Sequence, residues 1–358
     1  MDEKLRFDFT TTQKIIKLIG CIDSFKGKWL AIETEESRYL RQLRKIATIQ
    51  SIGSSTRIEG ATLTNEEVET LLANIKINKL ETRDEQEVLG YYGVLEVILE
   101  NDRGIDLNES NIFNLHNLLL KYSDKDQTHK GNYKQLSNKV VATYPGGKQK
   151  VIFNTTEPYL VKKEMEDLLN WTNNNLQSKE IHPLIIIGAF VYEFLSIHPF
   201  QDGNGRLSRL LTTLLLVKND YPFIQYVSFE NQIEKEKQRY YQVLMDAQKN
   251  RYSENEVIDK WMVFFLESLE ILSKKLEEKY SRYKDKGPYL NERQQVILDF
   301  IRKNEPVKTR DVAAFLQQES IHTIKKDMLY LHREGVIEKV GKGKATIYLI
   351  QERPSEEK

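Results

Sequence analysis

The densest group of side chains able to do chemistry lies between His198 and Arg209, with the sequence HPFQDGNGRLSR. An apolar run precedes the histidine, which places an imidazole at the end of a buried helix, where it can take a proton from an incoming hydroxyl group. The glycines that follow stand at the start of another helix. There the unpaired backbone N–H groups and the helix dipole favour an anion. The segment therefore predicts a general base beside an anion site.

Three charged side chains of the same segment define the anion further. Arg206 and Arg209 are three residues apart, so both guanidinium groups project from one face of the first helical turn and suit successive phosphates. Asp202 is a carboxylate beside them, and carboxylate oxygens suit Mg²⁺. Each feature alone is common in turns and on solvated helices. Together they predict a nucleoside triphosphate site with a base and a metal ion.

Helical periodicity dominates the chain and supplies the elements that must position this segment. Apolar residues recur with helical spacing, which predicts a mainly α fold. The predicted helices span residues 11–30, 36–49, 64–72, 84–99, 108–120, 159–174, 182–197, 205–218, 234–249 and 255–283. Two short β-type runs, 139–143 and 151–153, flank a Gly-rich turn and predict a hairpin.

The C-terminal part of the chain follows a polar Gly-Pro linker at 284–288 and has a different pattern. Its predicted elements are helices at 294–303, 309–316 and 321–333, then two short strands around Gly341–Gly343. This order resembles a winged-helix domain. We therefore divide the chain into an N-terminal helical region (1–100), a core (101–285) and a winged-helix domain (288–350).

The winged-helix resemblance implies one of two roles. Residues 288–350 contain eleven Lys and Arg against eight Asp and Glu, an excess that is small for binding duplex DNA. The groups that would meet phosphate lie on the third helix and the turn between the strands: His322, Thr323, Lys325, Lys326, Lys342 and Lys344. DNA binding and docking of a protein, including a second copy of the chain as a homodimer, both remain open.

Composition excludes several classes of protein. The 358 residues carry 53 basic and 53 acidic side chains, so no overall excess points to a nucleic-acid or anionic-membrane partner. The single cysteine, Cys21, cannot form an internal disulfide, and the first residues lack the apolar segment of a signal peptide. The most apolar run, 184–195, is too short to cross a bilayer. We expect a cytoplasmic protein without a membrane partner.

The segment from His198 to Arg209 resembles the Fic motif, HxFx(D/E)GNGRxxR, at every fixed position. These positions are His198, Phe200, Asp202, Gly203, Asn204, Gly205, Arg206 and Arg209. The resemblance implies a helical enzyme that transfers AMP from ATP to a Ser, Thr or Tyr hydroxyl of a target protein, with self-modification as one outcome. The complete GNGR stretch favours this adenylyl transfer over the reversed nucleotide orientation of phosphotransferase-type members.

The same resemblance implies a role for each motif residue. His198 is the general base and Asp202 binds Mg²⁺. The backbone from Gly203 to Gly205, including the central asparagine with its side chain, holds the α-phosphate. Arg206 contacts the β-phosphate and Arg209 the γ-phosphate. The implied partners are therefore ATP with Mg²⁺ and a target protein that the sequence does not identify.

The predicted hairpin extends the resemblance beyond the motif. Its first strand, with Val140, Val141 and Ala142, stands where the family has a flap that holds an extended target segment by strand pairing. Lys134 departs from the arginine that is usual at its position. This difference weakens the prediction of how a target docks.

The resemblance also implies a pocket for the adenine base. Tyr240, Tyr241 and Gln248 stand where the family often places a tyrosine and an amide against the base. Paired tyrosines on an amphipathic helix are core or groove residues, with no role in a pocket, about half the time. We take Tyr241 and Gln248 as the expected adenine contacts.

The segment Ser55–Gly60 matches the family's inhibitory motif, (S/T)xxxE(G/N). Ser55 and Glu59 are four residues apart and share a helix face, and Gly60 can end the helix in a left-handed conformation. A carboxylate at this place can pair with Arg209 and occupy the γ-phosphate position. Losing such a pair costs about 1–3 kcal/mol, so a target or an oligomer change could release it.

Two alternatives to an autoinhibited AMP transferase stay open. In the first, the enzyme works in reverse and removes AMP, with Glu59 positioning a water molecule. In the second, the nucleotide site senses ATP without catalysis and the winged helix binds DNA as a regulator.

Overall fold

The structure, a computed structural model, describes residues 1–33, 38–74, 80–143, 149–286, 290–317, 319–341, 343 and 346–351. The described chain is mainly helical, as the sequence predicts, and also forms two-stranded antiparallel sheets. Contacts divide it into two units, Met1–Glu36 with Leu40–Glu277 and Ser37–Tyr39 with Glu278–Lys358. None of its described helices combines the length and the apolar character needed to cross a bilayer.

The elements up to residue 286 are helices with one hairpin inserted. The helices are α1 (Phe9–Glu33), α2 (Arg38–Ile58), α3 (Asn65–Ala73), α4 (Arg83–Asn101), α5 (Glu109–Leu119), α6 (Pro158–Ser178), α7 (Pro183–Ile197), α8 (Asn204–Lys218), α9 (Phe229–Lys235), α10 (Lys237–Gln248) and α11 (Asp259–Lys286). The strands are β1 (Lys139–Thr143) and β2 (Gln149–Asn154), which pair antiparallel with a bulge between Val140 and Val141. The predicted turn at 144–147 lies outside the described residues.

Helix α7 is the centre of the first unit. Almost all of its side chains are buried, because it is apolar around its whole circumference. It packs between α6 and α8, and α11 approaches it closely at Gly188, where a Cβ atom would lie 2.9 Å from Met262 Sδ. Trp261 Nε1 donates to Gly188 O over 2.8 Å. A rigid, buried α7 therefore carries His198 at its C-terminal end.

Helix boundaries differ from the predicted ones where local chemistry changes. The predicted helix 234–249 is two helices, because Glu236 leaves helical geometry with φ −106° and ψ 27° between α9 and α10. Helix α2 continues well beyond residue 49, so Ser55 lies within it. Helix α11 continues to Lys286, past the predicted start of the linker at 284.

The second unit contains three helices followed by a hairpin, in the predicted order. These elements are α12 (Glu292–Asn304), α13 (Thr309–Phe315), α14 (Ile321–Arg333), β3 (Ile337–Val340) and β4 (Ile347–Ile350). Ile301, Val312, Ile324, Leu331 and Ile337 belong to its buried core. Lys342 and Lys344, expected in the turn between the strands, lie outside the described residues. The winged-helix assignment stays a prediction.

Candidate active site

The segment between α7 and α8 is a tight loop that depends on two left-handed residues. His198 ends α7 with φ 53° and ψ 61°, and its N–H donates to Phe194 O over 2.9 Å. Gly203 precedes α8 with φ 81°, a conformation that glycine adopts without steric cost. The loop therefore places the imidazole close in sequence to the free N–H groups at the start of α8.

The imidazole of His198 is held as a neutral base. Its Nδ1 lies 3.2 Å from Leu195 O. Because a carbonyl oxygen can only accept, Nδ1 carries the ring proton and Nε2 carries none. Burial lowers the pKa of His198 to about 4, since removal from water penalises the charged ring. At neutral pH, Nε2 can therefore take a proton from a hydroxyl group.

A cavity of about 220 Å³ brings His198 together with residues that are distant in sequence. The predicted site residues that line it are Glu59, Val140, His198, Asp202, Gly203, Asn204, Gly205, Arg209 and Tyr241. Three other predicted site residues are described but do not belong to this lining: Ser55, Arg206 and Gln248. Val141 and Ala142 pair with β2 through the backbone, and their side chains lie outside the described part of the chain.

Arg209 is buried, and α2 holds its guanidinium group. Nε donates to Ser55 Oγ over 2.8 Å, and Nη2 donates to Ser55 O over 3.0 Å and to Glu59 Oε1 over 2.9 Å. Burial favours the neutral form of Glu59, but Arg209 and Arg206 outweigh this effect and hold the pKa of Glu59 below its ordinary value. Glu59 and Arg209 therefore form a charged pair inside the cavity.

Glu59 follows the last turn of α2, which ends in a glycine cap. The N–H of Gly60 donates to Arg57 O and the N–H of Ala61 donates to Thr56 O, both over 3.1 Å. Gly60 has φ 110°, so this is a Schellman motif. The Glu59 carboxylate lies against the first turn of α8. A Cβ atom added to Gly205 in that turn would collide with Oε1 of Glu59. The carboxylate therefore lies beside the helix N-terminus, where an anion is favoured.

Asp202 and Arg206 form a charged cluster at the same turn. Asp202 Oδ1 accepts from the N–H of Gly203 over 2.6 Å and from Arg206 Nη2 over 3.1 Å. Oδ2 pairs with Lys125 at 2.8 Å. Burial raises the pKa of Asp202, but Arg206 and Lys125 reverse the effect and hold that pKa well below its usual range. Asp202 is therefore a carboxylate at neutral pH.

Arg206 is a buried cation with unused hydrogen-bonding capacity. Its side chain is 2% exposed and pairs with Asp202, and Nη1 lies 3.4 Å from Glu87. Nε and Nη1 donate no hydrogen bond to any described residue. Buried donors of this kind normally have partners, and these two have no hydrogen-bond partner among the described residues, although the side chain does not line the cavity.

Asn204 is used differently from the expectation. Its side-chain oxygen accepts from the N–H of Phe200 over 2.8 Å, and its amide nitrogen donates to Phe200 O over 2.7 Å. Both ends of the amide therefore close the loop from 200 to 204. The side chain stabilises the shape of the loop, and a contact of Asn204 with the α-phosphate stays a prediction.

Gln248 is also placed differently from the expectation. Its amide nitrogen donates to Tyr192 Oη over 3.0 Å and to Ser196 Oγ, which attaches α10 to α7. Tyr240 and Tyr241 do line the cavity, with ring centroids 5.2 Å apart. An adenine contact by the tyrosines thus fits this geometry better than one by Gln248.

His116 is a buried residue of the site that sequence analysis missed. Its Nε2 lies 2.9 Å from Asp202 O, and Nδ1 accepts from the N–H of Gly131 over 2.9 Å. Its ring stacks on Phe200 with centroids 3.7 Å apart. Burial lowers the pKa of His116 to about 4, so the ring is neutral and supports the loop. The available sequence signal is its place on the apolar face of the predicted helix 108–120.

Comparison with known proteins supports the assignment of this loop. Residues 106–216 match the model of the Fic/DOC family. The chain is 29% identical over 203 residues to "Protein adenylyltransferase Fic" of Drosophila sechellia, and 28% identical over 190 residues to the protein of the same name from Drosophila grimshawi. The matches cover 56% and 52% of this chain, and only 38% and 37% of those relatives.

Solved structures show the same fold. A Fic family protein from Desulfovibrio desulfuricans has a TM-score of 0.65 at 22% identity, with 98% of this chain and 99% of that one covered. Fic-1 from C. elegans has a TM-score of 0.58 at 18% identity, with 76% and 73% covered. The likeness is one of fold.

Proposed function

Because residues 106–216 match the Fic/DOC family model, we propose that the protein transfers AMP from ATP to a hydroxyl side chain of a protein target. One observation carries this proposal: a neutral imidazole lines the same cavity as a helix N-terminus and a buried arginine. This arrangement offers a base and a phosphate site within reach of one ligand. Relatives named adenylyltransferases point to the same class of reaction.

The proposed step forms one bond and breaks one. Nε2 of His198 takes the proton of the target hydroxyl while the hydroxyl oxygen attacks the α-phosphorus of ATP. The bond to the bridging oxygen breaks, and pyrophosphate leaves with the electron pair. Backbone N–H groups at the start of α8, with Arg206, stabilise the charge that develops on the phosphates.

The acidic residues of the site fit Mg²⁺ bound together with a nucleotide. Among the described residues, no group of three or more His, Cys, Asp or Glu side chains could hold a metal ion by itself. Mg²⁺ commonly takes one or two carboxylates together with substrate phosphates and water, and Asp202 provides such a carboxylate. Mg²⁺ bound there would neutralise phosphate charge. Lys125, which now pairs with Asp202, is half exposed, and such pairs are weak.

The edge of the hairpin supplies a place for the target. Lys139, Val140 and Phe153 line the cavity, and β1 pairs with β2 on one side only within the described residues. An extended target segment could add to β1 by strand pairing. This would bring a Ser, Thr or Tyr hydroxyl to His198.

Isotope-labelled ATP tests the reaction. The full chain carrying Glu59→Gly is incubated with ATP labelled on the α- or the γ-phosphate, alone and with cell lysate, and the products are examined by mass spectrometry. AMP transfer retains the α-label and loses the γ-label on a hydroxyl side chain. Transfer of the γ-label, or of neither label, contradicts the proposal.

A second function is favoured for the C-terminal unit by the charges of α14. The carboxylate of this helix, Asp327, is buried and bonded to Arg293 and Gln294. The exposed side chains of α14 that can carry charge are all basic: His322, Lys325, Lys326, His332 and Arg333. We propose that this face binds duplex DNA, with the helix in the major groove.

Salt dependence tests DNA binding. In a fluorescence anisotropy titration of the full chain on duplex DNA, log affinity should fall linearly with log salt, by roughly 0.9 per phosphate contact. The double variant Lys325→Gln/Lys326→Gln should reduce that slope by about 2. Lys303→Gln, an exposed residue of α12, is the matched control. Absence of binding at low salt would assign the unit to protein docking instead.

A further inference from the structure

Lys134 is a buried cation that the proposed reaction does not use. The residue is 3% exposed. Burial lowers its pKa to about 8, and Glu157 and Glu164 offset part of the effect. A buried ammonium group persists only where its donors are bonded. Its partners therefore indicate what the residue does.

The ammonium group of Lys134 uses three donors on three different segments. It donates to Asn138 Oδ1 over 2.9 Å, to Thr155 Oγ1 over 2.7 Å and to Ile197 O over 3.1 Å. Asn138 immediately precedes β1 and Thr155 immediately follows β2. Ile197 is the residue before His198. The group therefore connects both ends of the hairpin to the end of α7.

Two further bonds extend this connection to the other side of His198. The backbone N–H of Lys134 donates to Pro199 O over 2.8 Å. Asn138 Nδ2 donates to Phe200 O over 2.9 Å. The carbonyl groups of residues 197, 199 and 200 are thus all held from the base of the hairpin.

His198 requires such support because its backbone is strained. With φ 53° it is a non-glycine residue in the left-handed region, a conformation that persists only where surrounding contacts enforce it. The bonds from Lys134 and Asn138 fix the peptide groups on either side. We propose that Lys134 is a positioning residue for His198, and that it couples the orientation of the imidazole to the hairpin on which the target is proposed to dock.

This inference rests on the proposed function in one respect: the hairpin is taken as the target-binding edge. Its test therefore includes a measurement that needs no activity. Uniformly ¹⁵N-labelled histidine in the full chain reports the tautomer of each imidazole by NMR, and comparison with His198→Ala identifies the His198 signals among six histidines. In the wild type we expect the Nδ1–H form, with its bond to Leu195 O.

The principal variant is Lys134→Met, which keeps the length of the side chain and removes all three donors. In a Glu59→Gly background we expect kcat for AMP transfer to fall about 10–100-fold, because small displacements of a catalytic group have effects of this size. The Kd for ATP should stay within about twofold, as expected when the lost interaction acts on the chemical step and not on nucleotide binding. The ¹⁵N shifts of His198 should move toward averaged tautomers.

Thr155→Val serves as a milder second variant in case Lys134→Met folds poorly, since it removes a single hydroxyl group, which accepts from Lys134 and donates to Asn138. It should shift kcat and the ¹⁵N signals in the same direction by less. Lys163→Met, an exposed lysine on α6 paired with Asp167, is the matched control. Unchanged His198 shifts in both cluster variants overturn the proposal, even if kcat falls. If the background variant transfers nothing, the proposed function fails, and the ¹⁵N shifts alone decide the role of Lys134.

Discussion

Replacing His198 with alanine is expected to lower AMP transfer by about 10²–10⁴-fold, the range typical of loss of a general base. The structure supports this size of effect because Nε2 is an unprotonated nitrogen in the cavity, while Nδ1 is engaged with Leu195. The rate should be measured in the Glu59→Gly background with ATP labelled on the α-phosphate. ATP affinity, measured by calorimetry, should remain within about threefold, since a base that acts in the transition state adds little to ground-state binding.

The pH dependence of the same reaction provides an independent check on His198. Because burial lowers the pKa of His198 to about 4, the ring stays neutral as the pH falls from 8 to about 5 and becomes protonated only near 4. The acid limb of the rate should therefore lie near pH 4, well below the usual range for histidine. His322→Ala, on the exposed face of α14, is the control. An unchanged rate in His198→Ala would instead favour a nucleotide sensor without catalysis.

Replacing Glu59 with glycine is expected to raise AMP transfer about 5–150-fold, the range of typical coupling between sites. The Glu59 carboxylate pairs with Arg209 and lies against Gly205, and we propose that it thereby takes the space and the charge partner of a nucleotide phosphate. Removing Glu59 takes the paired carboxylate away from Arg209, whose bonds to Ser55 remain, and we expect Arg209 then to pair with the γ-phosphate. The measurement is incorporation of α-labelled AMP into the protein itself and into lysate proteins.

Two further variants test whether the effect comes from the charge of Glu59 and whether it is specific to this position. Glu59→Gln keeps the size of the side chain and loses the ion pair, so its rate should fall between wild type and Glu59→Gly. Glu180→Gly, an exposed loop position before α7, is the matched control. No gain of label in Glu59→Gly would show that Glu59 does not inhibit. If the wild type removes AMP from a modified protein and Glu59→Gly does not, the chain works in reverse.

The parts of the site that depend on short-range spacing were predictable from the sequence. A helix end, two glycines and arginines three residues apart define the loop from His198 to Arg209 almost by themselves. The partnership of Glu59 with Arg209 spans 150 positions, and it was predictable because a recognisable motif marks one partner and the Fic motif marks the other.

Contacts between distant segments without such motifs could not be predicted. No motif marks His116 or Lys134 as supports of the loop, because the loop groups that they contact are backbone carbonyls, which are present at every position. The commitment of the Asn204 side chain to Phe200 depends on how the loop closes. The break at Glu236 between α9 and α10 likewise has no glycine or proline to mark it.

The glycine cap of α2 has a consequence for how the proposed inhibition by Glu59 should look in kinetic measurements. Terminal turns of helices open at little cost and on timescales far shorter than a typical catalytic cycle. Glu59 stands beyond the last turn, while Ser55 lies within the helix, so we expect the Glu59 carboxylate to withdraw and return many times during one turnover. Under the proposed inhibition, we expect the protein to be a fast mixture of blocked and open sites. The apparent affinity for ATP should then be weaker than the intrinsic affinity, by a factor equal to the fraction of open sites. No lag should precede the steady rate.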